Sequence, residues 1–147
     1  MFGVRTRNQK PPSAMATRTE QWIELPSPSP GTQRQLKVIR YGAAGARPKI
    51  YLQTGLHADE LSGMVVLHHL DTLLSALDEK DAITGEIILV PVANPIGLSQ
   101  TSQGYLTGRL ENSSGKNFNR HYPDLTEAVA TRVLGHLTDD ELTNVAL

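Results

Sequence analysis

His57 and Glu60 are separated by two residues, in the run His57-Ala58-Asp59-Glu60. Residues three apart on a helical turn project to the same side, so imidazole and carboxylate at this spacing can converge on one cation. Neutral imidazole nitrogen and carboxylate oxygen are ordinary ligands of Zn2+. The same run also suits the start of a helix, with Asp59 and Glu60 set against the macrodipole and His57 in a turn. Spacing alone leaves both readings open. A second group is Gly115-Lys116-Asn117-Phe118-Asn119-Arg120-His121-Tyr122-Pro123. An arginine fork beside an amide, as in Asn119-Arg120, is a receptor for a carboxylate. Arg109, upstream in the same stretch, can polarise a carbonyl or hold an oxyanion. A solvated polar loop and a phosphate site are the competing readings of this group. No basic stripe accompanies it, so nucleic acid is not an expected partner.

These side chains need elements to hold them. Leu36 to Tyr41 alternates as a strand, and Lys49 to Thr54 reads as another, stopped by Gly55. From 61 to 77, Leu67, Leu70, Leu74 and Leu77 recur on one helical face, with Met64 and Leu73 beside it. Glu86 to Val92 is a nearly continuous apolar run, which suits a strand buried on both faces. Strand, helix, strand makes a βαβ unit. The expected fold is α/β: a mixed, mainly parallel sheet flanked by helices. His57 then lies just beyond the carboxyl end of a strand, where open α/β sheets bind ligands. Asn94-Pro95-Ile96-Gly97 follows the next strand and reads as a turn at the same sheet edge. Residues 94–124 show no period, and loops that long inside compact domains are usually functional. His68 and His69 are expected on the exposed side of the helix.

Val129, Val133, Leu134 and Leu137 predict a short helix, and Thr138 with Glu141 makes a capping box that opens another. That second helix stops about two turns in, so the chain reads as an incomplete domain. Such a piece is expected to expose a sheet edge and to self-associate.

Composition sets the outer limits. The 147 residues suit one domain. Fourteen basic residues against fifteen acidic ones leave a net charge of −1, so no global field draws the chain to nucleic acid or an acidic membrane. There is no cysteine, which excludes disulfides, thiolate zinc sites and cysteine nucleophiles. The longest apolar stretch, Ile87 to Ala93, is too short to span a bilayer. The first thirty residues lack an apolar signal core, and a cytoplasmic location is the default. Arg5, Arg7, Lys10 and Arg18 and the Pro26-Ser27-Pro28-Ser29-Pro30 run mark 1–30 as a flexible basic and Pro/Ser-rich tail, with Trp22 and Ile23 anchoring it. Residues 31–147 form the domain.

Taken in order, the motifs resemble one family. A strand leading to His57-Ala-Asp-Glu60 and a helix, a second strand leading to Asn94-Pro95-Ile-Gly97, then Arg109 and Asn117-Phe-Asn119-Arg120, are similar to the zinc carboxypeptidase superfamily. The succinylglutamate desuccinylase/aspartoacylase branch is the nearest match, over about residues 32–125. The resemblance implies a mixed sheet flanked by helices, with Zn2+ as cofactor. It implies hydrolysis of an amide, in an N-acyl amino acid or at a peptide C-terminus carrying a free carboxylate. It makes His57 and Glu60 the first two zinc ligands, Asn119 and Arg120 the grip on the substrate carboxylate, and Arg109 the oxyanion partner. The third ligand, a histidine, and the catalytic glutamate should follow well beyond Arg120. His136 and Glu141 lie too close in sequence to serve, so 31–147 is expected to be the N-terminal part of a catalytic domain. Two other readings are a carboxylate-binding α/β module that has lost its metal and a plain α/β domain whose motif matches are coincidental.

Overall fold

A computed structural model describes residues 17–134. Six strands and three helices run in the order β1 (Thr19–Leu25), β2 (Arg34–Tyr41), β3 (Lys49–Gln53), α1 (Ser62–Asp78), β4 (Glu86–Val90), α2 (Pro95–Leu98), β5 (Thr101–Ser102), β6 (Tyr105–Leu106) and α3 (Thr126–Leu134). Four strands form one sheet in the order β1-β2-β4-β3, and β5 and β6 form a small hairpin.

The expected βαβ unit is present: β3 and β4 pair in parallel, with α1 between them in sequence. The sheet is mixed, as expected, and its other described pairs run the opposite way. β1 with β2 and β2 with β4 are both antiparallel, so the parallel pair is confined to one margin. The reason lies in the connections. A tight return through the Pro/Ser run allows only antiparallel pairing, whereas a helical crossover brings the next strand back in parallel.

Part of the 1–30 stretch is also corrected. Residues 19–25 are not tail but β1, in full register with β2 from Thr19↔Arg40 to Leu25↔Arg34. Trp22 and Ile23 do tie this segment down, as members of the strand. The chain before it is pinned as well. Asp78, buried at the end of α1, accepts hydrogen bonds from Thr17 N, Thr17 Oγ1 and Arg18 N at 2.8, 2.6 and 2.9 Å. Arg18 reaches Asp71 and Glu20, and its Nε donates to the Tyr41 hydroxyl at 3.0 Å. Burial alone raises the Asp71 carboxyl, but hydrogen bonds from Arg18 and Tyr41 outweigh it and hold the group below its usual range. Burial, with Asp71 beside it, pushes the Tyr41 phenol up to about 12. Read locally Arg18 is only a tail charge, because Tyr41 and Asp71 are distant in sequence.

The core follows from strand alternation. Ile39 pairs with Leu89 and Tyr41 with Ile87, so these side chains share one face. α1 covers that face with Leu67, Leu74 and Leu70. On the other face Glu86 is fully buried, held by Arg40, by Lys49 Nζ at 2.7 Å and by Gly45 N at 3.0 Å. Leu77, expected on the core face, is exposed. It lines an apolar hollow with Pro48, Ile50, Leu74, Ile83 and Ile87 at the amino ends of β3 and β4. This hollow lies at the opposite end of the strands from His57. His68 and His69 are exposed, as expected. The first predicted C-terminal helix is α3, with no buried residue. His136 and the capping box at 138–141 lie outside the described residues.

Candidate metal-binding site

β3 ends at Gln53, and the chain leaves it through Gly55, whose φ of +67° belongs to the left-handed region that suits glycine. His57 follows and is 8% exposed. Glu60 does not begin α1 as expected, since the helix starts at Ser62. A turn places it instead: Glu60 N donates to His57 O at 3.1 Å. That turn brings the carboxylate round to the imidazole as one turn of helix does. His57 Nδ1 and Glu60 Oε1 are 3.4 Å apart.

The end of β4 locks this turn. Asn94 is buried; its Nδ2 donates to Leu56 O at 3.0 Å and its Oδ1 accepts from Gly97 N at 2.8 Å. Asn94 thereby caps α2 and clamps the residue before His57. The Asn94-Pro95 turn is thus a support for the site as well as a strand stop.

The 99–120 stretch wraps back over the site. Ala58 N donates to Gly108 O at 2.9 Å. A Cβ on Gly108 would stand 2.7 Å from Ala58 Cβ and 2.9 Å from Asp59 N, so only glycine allows this approach. Arg109 is therefore delivered onto the turn. Its Nη1 lies 3.0 Å from His57 Nδ1, its Nη2 donates to Glu60 Oε1, and its Nε is 3.5 Å from Asp59 Oδ2. A guanidinium only donates, so Nδ1 is the accepting nitrogen and Nε2 carries the proton. Nε2 accordingly donates to Asn117 Oδ1 at 2.8 Å, and that oxygen also accepts from Asn119 N at 2.8 Å. Spacing gave no sign of Asn117 as a partner of His57, because the two are sixty residues apart and meet only through the loop.

Asn119 sits behind this contact. Its Oδ1 accepts from the Tyr122 hydroxyl at 2.7 Å. Arg120 is exposed, with Nη1 donating to Asn119 O at 2.6 Å. His57, Glu60 and Arg109 are in mutual contact; Asn119 joins them through Asn117. Among the described residues no hydrogen bond or ion pair links Arg120 to His57 or Glu60.

Glu111 shapes the return of the loop, accepting from Ser113 N, Ser113 Oγ and Ser114 N at 2.9, 2.7 and 2.8 Å. The Ser113 hydroxyl and amide, with Ser114, draw its carboxyl down to about 2. A carboxyl depressed in the folded state lends order above its ordinary value of 4.5 and loses it as pH falls through the folded one. The Ser113 and Ser114 amides are expected to stay protected at about pH 4 and to lose protection near pH 2, read by amide exchange.

The donor set fits a divalent cation. Two ligands at ordinary zinc distances and a tetrahedral angle stand about 3.3 Å apart, close to the Nδ1–Oε1 separation here. The Nε2–H bond to Asn117 is the outer contact that fixes a ligating imidazole. The space between the two acceptors already draws a cation, the Arg109 guanidinium. Asp59, whose Oδ2 lies 3.5 Å from Arg109 Nε, has its Oδ1 buried without a hydrogen-bond partner. Among the described residues no three His, Asp or Glu side chains gather as a full ligand set.

A mixed sheet with its polar loops gathered at the carboxyl ends of a parallel strand pair is the arrangement in which open α/β folds place their ligand sites. The profile of the succinylglutamate desuccinylase/aspartoacylase catalytic domain matches residues 46–144, and the chain belongs to that family of hydrolases. A Shewanella frigidimarina structure assigned as a succinylglutamate desuccinylase/aspartoacylase is 28% identical with a TM-score of 0.68, over 87% of this chain. A family protein from Shewanella amazonensis is 33% identical with a TM-score of 0.65, over 86%. The chain spans about a third of each of those structures, 34% in both cases. No curated protein sequence matches it.

Proposed function

We propose that this chain carries the metal-holding turn and part of the substrate pocket of a zinc-dependent amide hydrolase. Its substrates are small N-acyl amino acids or peptide ends bearing a free carboxylate. The observation that carries the proposal is the convergence of His57 Nδ1 and Glu60 Oε1 at 3.4 Å, with Nε2 fixed by Asn117. His57 and Glu60 would hold the ion. When bound, zinc polarises the scissile carbonyl and brings a water's pKa toward neutrality.

The chain's own residues do the rest of the positioning. Asn117 keeps the proton on Nε2 and so leaves the Nδ1 lone pair available. Arg109, anchored beside Asp59, offers donors to an oxyanion. Arg120 spends one N–H on Asn119 O and has others left for a bidentate carboxylate contact, while Asn119 is braced by Tyr122. Among the described residues no third ligand joins His57 and Glu60. Two ligands hold zinc poorly, so binding by the chain alone is expected to be weak.

A second reading has support from one contact: Arg109 neutralises the acceptor pair, as a metal-free carboxylate-binding module would require. Zinc titration of the purified chain against a chromophoric chelator separates the two. The hydrolase reading expects saturable uptake of one zinc, weakened more than about 100-fold by His57→Ala, beyond the usual cost of losing an outer-shell partner. Uptake equal in the variant would refute the ligand assignment.

A further inference from the structure

We propose that Arg109 is a resident surrogate cation, seated on His57 and Glu60 in the metal-free protein, which zinc displaces onto Asp59. The inference rests on the metal-site reading above and adds a device to it. Three observations support it. First, the guanidinium holds both acceptors that would face the ion: Nη1 is 3.0 Å from His57 Nδ1, and Nη2 donates to Glu60 Oε1. A metal and this guanidinium cannot use the same lone pairs together. Second, a landing place lies alongside, since Nε is already 3.5 Å from Asp59 Oδ2. Third, Asp59 Oδ1 is buried with no hydrogen-bond partner. A buried carboxylate oxygen left unpaired is costly, and a guanidinium that moves across satisfies it.

The two seats differ by a short swing of one side chain. The backbone need not move, because Gly108 O stays bonded to Ala58 N and keeps the root of Arg109 beside the turn. Asp59 is then a positioning residue, acting on the metal through Arg109. The surrogate keeps two acceptors from facing each other without a cation, and it lowers apparent metal affinity by the fraction of protein in which it is seated.

The test is a zinc titration of the full chain by chelator competition, on the parent, Arg109→Ala, Asp59→Asn and the double variant. Arg109 is 46% exposed at its side chain, so its truncation does not threaten the core. With the surrogate seated in about nine molecules of ten, Arg109→Ala is expected to bind zinc about tenfold more tightly than the parent. Asp59→Asn is expected to bind about tenfold more weakly, having lost the landing place. In the Arg109→Ala background the Asp59 change is expected to do nothing. A merely electrostatic role for Asp59 predicts instead the same loss in both backgrounds, and that result overturns the swing. Unchanged or weaker binding by Arg109→Ala overturns the surrogate. Where the parent takes up no measurable zinc, uptake by Arg109→Ala supports the proposal, and uptake by neither overturns it. If His57→Ala abolishes binding while Arg109→Ala gains nothing, the metal site stands and this proposal alone falls.

Discussion

Leu89→Ala is expected to lower stability by about 3–4 kcal/mol. Leu89 is fully buried, paired with Ile39 on one side and Leu52 on the other, beneath Leu67 and Leu74 of α1. Truncation removes three heavy atoms from the centre of the main cluster. The strands on both sides hold the backbone, so the surroundings relax little and most of the cavity remains. A urea titration at 25 °C checks this: the midpoint should fall steeply with the slope unchanged. A midpoint within error of the parent would place the stabilising core elsewhere. The loss reaches the site too, because β4 ends in the Asn94 clamp that holds Leu56 beside His57.

The second large effect is expected at Gly108. Its alanine variant sets a Cβ at 2.7–2.9 Å from Ala58 and Asp59 N, and much of that obstruction is backbone, which cannot rotate aside. The loop must lift, and the Ala58 N–H bond to Gly108 O must lengthen or break. Overpacking of this kind costs about 1–3 kcal/mol, and a lost buried backbone bond puts the figure toward the upper end. Two measurements check it: the melting midpoint, and exchange of the Ala58 amide, which should lose protection before the α1 amides do. Protection of Ala58 equal to the parent's would show that the loop is not seated as described.

How much of this was legible in the sequence depended on the distance over which each signal acts. β2, β3, α1 and β4 announce themselves by period, and the helix boundary is off by only one residue at either end. β1 was not legible, because Thr19-Glu20-Gln21 is polar and prolines follow. Its stability comes from seven paired positions with β2 and from Arg18 and Asp78, none of which is a local property. The direction of β2 carries no local signal for the same reason, since its antiparallel pairing with β4 is a contact across almost fifty residues. At the site, His57 and Glu60 were readable because three residues make one turn. The proximity of Arg109, Asp59 and Asn117 was not, because a loop without period carries no record of where it lands. Gly108 was the overlooked clue: a glycine just before an arginine, at the point where two backbones touch.

β3 lies at the outer margin of the described sheet, with all five of its residues exposed and Ile50, Tyr51 and Leu52 among them. Its far side presents alternating amides and carbonyls with no partner strand among the described residues. A row of that kind templates the addition of any extended chain, whatever its source. Self-association at high concentration is therefore expected to run through such exposed main chain, at β3 and at the opposite margin β1, more than to follow the near-neutral charge. Lysine placed at Tyr51 is the substitution that would blunt the β3 margin.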